Sequence, residues 1–259
     1  MQCDFAESIQ SFAQHGVFKT ALWRDKVEAF GVSQSARELA ASGVKAEALC
    51  AALLLAEEPD RQADRLVENR ALLEMASELG VSSLVVITGG LGSGDKDLNN
   101  ARTRALDCLG ELALFAREAN VQLVLEPLHP MVCGLRSVIS TLGEARQMLD
   151  ALAMDDVLGL VVDSYALWWQ PDLESEIYRA GSRIRHFHVA DWLPDTRDIR
   201  LDRGMPGDGI IDNQLIRRWL EIAGFNGSVE VEVFSANNWW KKSPELVMKT
   251  ILQRFETCL

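Results

Sequence analysis

The stretch VLGLVVD (157–163) is a continuous apolar run that ends in a carboxylate, and three other runs in the chain share this design. They are VQLVLE ending at Glu126, IRHFHV carrying His188 and GSVEVEVF carrying Glu232. Successive side chains of this set lie 25 to 44 residues apart. This range includes the length of one strand–helix repeat in a (β/α)8 barrel of about 250 residues. Because the C-terminal ends of parallel barrel strands share one mouth, we expect Glu126, Asp163, His188 and Glu232 to converge. Three carboxylates and one imidazole predict a divalent-cation site there.

The composition indicates one globular domain over residues 1–259, with 48% hydrophobic residues and no linker or low-complexity tract. No apolar run approaches the ~18 residues of a membrane helix, and the N-terminal sequence lacks the features of a signal peptide, so we expect no membrane partner. The net charge of −12 argues against nucleic acid as a partner. Five widely spaced cysteines without a CxxC pair favour reduced thiols and a cytoplasmic protein.

Apolar runs alternate with helical patterns along the chain, which predicts an α/β protein with a parallel sheet. Strands are expected within residues 17–23, 44–55, 82–88, 121–126, 157–163, 183–191 and 228–234. Helices are expected at 4–14, 33–42, 60–79, 97–119, 141–153, 172–180, 212–223 and 244–257. A barrel of this kind normally opens with a strand, whereas Phe5, Ile9 and Phe12 give the first segment a helical face. Either the first strand is lacking or its segment lies outside this chain, and a missing strand leaves two unpaired edges.

Five motifs together are typical of one family: LEPLHP (125–130), VVDSYALWW (161–169), HFHVADW (186–192), DRGMPGDGIID (202–212) and EVEVFS (230–235). Through them the chain, from residue 5 onward, resembles the sugar phosphate isomerase/epimerase family of xylose isomerase-like TIM barrels. The resemblance implies a Mn, Mg, Co or Zn ion bound by Glu126, Asp163, His188 and Glu232. Two positions depart from the family pattern. Relatives usually carry a histidine where this chain has Ala166, and often an Arg-Gly-Gly segment where it reads CAALLL (50–55).

The proposed chemistry depends on Glu126 and Glu232, which are expected to remove and return a proton beside a substrate carbonyl. Candidate substrate contacts are His129, His186, Arg203 and Trp168. His186 lies two residues before His188 and shares its side of the strand, so its side chain either contributes to the pocket or packs in the core. The Arg203 guanidinium suits hydroxyls or a carboxylate, and the Trp168 ring suits the apolar face of a sugar.

The sequence therefore predicts a metal-dependent isomerase or epimerase of a small sugar or hydroxyketone. Unpaired strand edges favour a homo-oligomer. A keto-polyol dehydratase on the same scaffold begins with the same deprotonation and stays an alternative. A degenerate barrel that binds a sugar without turnover is a second alternative, favoured by Ala166, by CAALLL and by the missing first strand. A metal-dependent endonuclease is disfavoured because the chain has four histidines and no basic stripe.

Overall fold

The computed structural model describes residues 3–259, in which strands and helices alternate. The strands are β1 (Lys19–Trp23), β2 (Lys45–Leu53), β3 (Ser83–Ile87), β4 (Gln122–Leu125), β5 (Leu158–Asp163), β6 (Ile184–Val189) and β7 (Ser228–Val231). The helices are α1 (Phe5–Gln14), α2 (Arg24–Phe30), α3 (Val32–Ser42), α4 (Gln62–Glu78), α5 (Leu98–Ala119), α6 (Leu142–Leu152), α7 (Ser164–Leu167), α8 (Leu173–Ala180), α9 (Asn213–Ile222) and α10 (Pro244–Thr257).

The seven strands form one sheet in the order in which they occur along the chain, and every neighbouring pair is parallel. The sheet curls into a nearly closed barrel surrounded by the helices, so the predicted TIM-barrel fold class is confirmed. The register pairs Asp163 with His188 and His188 with Glu230. Parallel order places the C-terminal ends of all strands at one mouth, where Glu126 and Glu232 directly follow β4 and β7.

The core explains why the apolar runs become strands. All five residues of β3 and all six of β5 are buried, because strands of a parallel barrel are covered on both faces. Local signals fix several helix ends. Asp4 and Thr141 each form a capping box with a glutamate three residues later, and Ser243 caps α10, which opens on Pro244.

The barrel has a seam between β1 and β7, its two outermost strands. Within residues 3–259, no strand pairs with the two facing edges. Trp23 and Phe234 meet edge to face across this gap with ring centroids 5.1 Å apart, and helices α1 and α10 contact each other outside it. A cavity of about 760 Å³ remains, lined mainly by aliphatic and aromatic side chains. The first element of the described chain is thus a helix, as the sequence indicates.

Two helices have no counterpart in the sequence prediction. Helix α2 directly follows β1 and ends at Gly31, whose φ of 97° stops it before α3 begins. Helix α7 is a single turn capped by the Asp163 side chain. Both are too short for an apolar repeat to appear in the sequence. Among the helices of residues 3–259, none has the length and apolar character needed to cross a membrane.

Candidate metal and substrate site at the barrel mouth

Three of the four predicted ligands form a compact group, in which Glu126 and His188 are buried and Glu232 is partly buried. Glu126, His188 and Glu232 each offer one ligand atom, and these atoms lie within 4.8 Å of one another. The His188 Nδ1 atom is 3.1 Å from Glu126 Oε1, and the His188 side chain is fully buried. Glu126 and Glu232 directly follow β4 and β7, and His188 is the penultimate residue of β6, so the rigid sheet sets the separation of the three side chains.

Asp163 lies beside this group and is joined to it by Arg203. One Asp163 oxygen caps α7 by accepting the backbone N–H of Tyr165 at 2.8 Å. The other oxygen is 3.3 Å from Arg203 Nη1, and the same nitrogen donates to Glu232 Oε2 at 2.9 Å. The guanidinium is held between the rings of Tyr165 and Phe234, with its carbon 4.4 and 5.0 Å from their centroids. Arg203, predicted as a substrate contact, therefore bridges two of the predicted ligands.

Burial dominates the electrostatics of the acidic group. It raises the pKa of Asp163 and of Glu232, although the positive charge of Arg203 opposes both shifts. Burial also disfavours the charged form of His188. The carboxylates of Glu230 and Glu126 outweigh that effect and raise the pKa of His188 to about 10. Buried carboxylates are stable when a positive charge compensates theirs. In this group, Arg203 and His188 are the side chains that provide the positive charge.

The donor set fits a divalent cation. Two carboxylates and one imidazole nitrogen within 4.8 Å of one another suit Zn²⁺, Mn²⁺ or Co²⁺. Asp163 is the adjacent third carboxylate and the fourth candidate ligand, and its oxygen that faces Arg203 is the one available to a cation. An ion would take over the charge compensation that His188 and Arg203 provide in this structure.

The other predicted substrate residues occupy two levels of the barrel. His186 lies one layer below His188, with ring centroids 6.3 Å apart, and is 5% exposed. Burial, helped by the positive charges of His188 and Arg185, lowers the pKa of His186 to about 3. His186 thus belongs to the barrel interior and faces the seam cavity.

His129 and Trp168 lie in an aromatic cluster centred on Trp192. The His129 ring stacks on Trp192 at 4.7 Å, Tyr165 stacks on it at 5.0 Å, and Trp168 lies 5.7 Å from it. His129 Nδ1 accepts the backbone N–H of Met131 at 3.3 Å, and burial lowers the pKa of His129 to about 4. The buried Trp168 Nε1 has no hydrogen-bond partner in the described chain.

The motif DRGMPGDGIID folds around the carboxylate of Asp191. One oxygen accepts the backbone N–H groups of Gly207 and Gly209 at 2.8 and 2.9 Å, and the other accepts those of Trp192 and Ile211, both at 2.9 Å. The backbone of Asp191 also exchanges two 2.9 Å hydrogen bonds with Gly204. This arrangement fixes the residue next to Arg203 and so helps to aim the guanidinium at the site.

Sequence reasoning missed three contributors to the site: Tyr165, Phe234 and Glu230. Tyr165 and Phe234 lie in the quoted motifs, but their role as walls for Arg203 depends on chain segments far apart in sequence. The sequence did contain a signal for Glu230. Because it precedes Glu232 by two residues, strand alternation places both side chains on the same face of the strand.

Fold and site together define a class, a parallel barrel with a buried acidic and imidazole cluster at its C-terminal mouth. Residues 10–251 match the family model described as the xylose isomerase-like TIM barrel, and the chain belongs to that family. The crystal structure of protein SMc04130 from Sinorhizobium meliloti 1021 superposes with a TM-score of 0.94. It is 39% identical in sequence over 99% of this chain and 94% of that one.

A curated relative is the inosose isomerase of Halalkalibacterium halodurans. It is 27% identical over 194 residues, which cover 71% of this chain and 64% of the relative. The chain therefore spans less than two thirds of that relative's length. The structure of the IolI protein with a bound zinc atom has a TM-score of 0.85 and 20% identity, over 99% of this chain and 93% of that one. The family resemblance carried by the five motifs is thus confirmed.

Proposed function

We propose that this protein is a divalent-metal-dependent isomerase or epimerase of a small sugar or hydroxyketone. The observation that carries the proposal is the convergence of Glu126, His188 and Glu232 at the barrel mouth. Two further findings support it. One relative is named inosose isomerase, and a structure of the same fold binds zinc.

The cation would be held by Glu126, Asp163, His188 and Glu232. When bound, it withdraws electron density from the substrate carbonyl and makes the neighbouring C–H bond more acidic. Within the chain, one of the two glutamates takes the proton from that carbon, and the other returns a proton to the opposite face or to the adjacent carbon.

The remaining residues would bind and orient the substrate. Arg203 presents fixed donors at the edge of the acidic group, where substrate hydroxyls would replace part of its contact with Asp163 and Glu232. Trp168 offers an apolar face, and His129 extends the same aromatic wall. His186 would line the site as a neutral imidazole, one layer below His188.

The first experiment measures the metal content of the purified protein and its melting temperature with added Mn²⁺ or EDTA. We expect a stoichiometric ion that raises the melting temperature and is lost in Asp163→Asn. No bound metal and no thermal response would contradict the proposal and favour a barrel without metal chemistry.

The second experiment follows a panel of ketoses, beginning with inosose, by mass spectrometry in D₂O. Isomerisation or epimerisation incorporates deuterium at carbon, whereas a dehydratase would produce loss of water. Glu126→Gln and Glu232→Gln should each lower kcat about 10²- to 10⁴-fold. The exposed Glu57→Gln is the matched control and should keep the wild-type rate. Wild-type rates in both site variants would contradict the acid and base assignment.

A further inference from the structure

Glu230 is a partly buried carboxylate inside the barrel that the proposed chemistry does not use. It faces inward from β7, and its Oε2 atom lies 3.5 Å from His188 Nε2. Its side chain is 18% exposed and borders the seam cavity. No second ion pair of Glu230 occurs within residues 3–259, so His188 is its one charged partner in that part of the chain.

The two ring nitrogens of His188 have different surroundings. Nδ1 faces Glu126 at 3.1 Å, inside the ligand group, whereas Nε2 points away from it toward Glu230. Nε2 is buried and has no hydrogen-bond partner in the described chain. Its separation from Glu230 is slightly longer than the usual N–H···O range of about 2.7–3.2 Å.

We propose that Glu230 is a positioning residue that accepts the Nε2 proton of His188 and thereby presents Nδ1 to the cation. This inference rests on the metal site of the proposed function. An imidazole binds a metal through a nitrogen that carries no proton, and the partner of the other nitrogen decides which one that is. A carboxylate partner also makes the ligating nitrogen a stronger donor.

The geometry favours Glu230 over the other groups near His188. Glu126 lies on the Nδ1 side and belongs to the ligand group. The His186 ring is 6.3 Å away between centroids, beyond hydrogen-bonding distance of the His188 ring. The barrel register holds Glu230 directly opposite His188 on adjacent strands, so the rigid sheet maintains the pair.

The test uses Glu230→Met, which removes the acceptor and keeps a similar shape, and Glu230→Gln, which keeps a neutral acceptor. The matched control is Glu47→Met, because Glu47 is a barrel carboxylate that contacts Lys19 and Ser228 and no proposed ligand. The first readout is Zn²⁺ affinity by competition with a chromophoric chelator. The second is the Nε2–H proton resonance in protein carrying ¹⁵N-histidine, assigned through His188→Gln.

We expect Glu230→Met to weaken Zn²⁺ binding about 10- to 100-fold and to shift the Nε2–H resonance and speed its exchange with water. Glu230→Gln should fall between Glu230→Met and wild type, and Glu47→Met should match wild type. Unchanged affinity and an unchanged resonance in Glu230→Met would overturn the inference. If the wild type binds no Zn²⁺, the proposed function fails, and the resonance alone decides the role of Glu230.

Discussion

Asp191 gives the sharpest test of how the loop that positions Arg203 is held in place. Its buried carboxylate accepts four backbone N–H groups, two on each oxygen. In Asp191→Asn one oxygen becomes an NH₂ group, so two of the four N–H donors face another donor. Each buried donor left without an acceptor costs about 1–3 kcal/mol. We therefore expect Asp191→Asn to lower the free energy of unfolding by about 2–6 kcal/mol.

Urea denaturation, followed by tryptophan fluorescence and circular dichroism, measures this change. The matched control is Asp195→Asn, because Asp195 is exposed in the same loop region and should change stability by less than about 0.5 kcal/mol. A loss of less than about 1 kcal/mol in Asp191→Asn would refute the view that this carboxylate organises the loop.

Three further predictions address other parts of the mouth. Gly209→Ala would place a Cβ atom 2.1 Å from the Trp192 carbonyl oxygen, so it should lower the melting temperature, whereas an unchanged value would contradict the close approach. The pKa of His129 is lowered to about 4 in the folded protein. As the pH falls below about 6.5, this histidine therefore takes up a proton in the unfolded chain before it does so in the folded one. Stability should thus fall by about 1–3 kcal/mol between pH 6.5 and 4, and His129→Gln should reduce this slope in urea titrations at several pH values. Arg203→Met leaves two buried carboxylates without their cation, so it should destabilise the metal-free protein more than the Mn²⁺-loaded protein in paired melting experiments.

The local patterns of the sequence were sufficient for most of the fold. Continuous apolar runs predicted all seven strands of the described chain, and helix boundaries such as 142–152 and 244–257 agree within one or two residues. The reason is that parallel strands buried on both faces need uninterrupted apolar residues, and helix caps are encoded within a few positions. Homo-oligomerisation remains a prediction of the sequence.

Strand ends also indicated the candidate ligands, because every parallel strand delivers its last residue to the same mouth. The bridge that Arg203 makes between Asp163 and Glu232 could not be read from the sequence, since it joins residues 29 and 40 positions away. The contact of Glu230 with His188 depends likewise on the register of two strands. The sequence by itself determined that Glu126, Asp163, His188 and Glu232 lie at or near the C-terminal ends of four strands. Only the tertiary structure decided how their charges are paired, because pairing depends on distances between segments that no local pattern encodes.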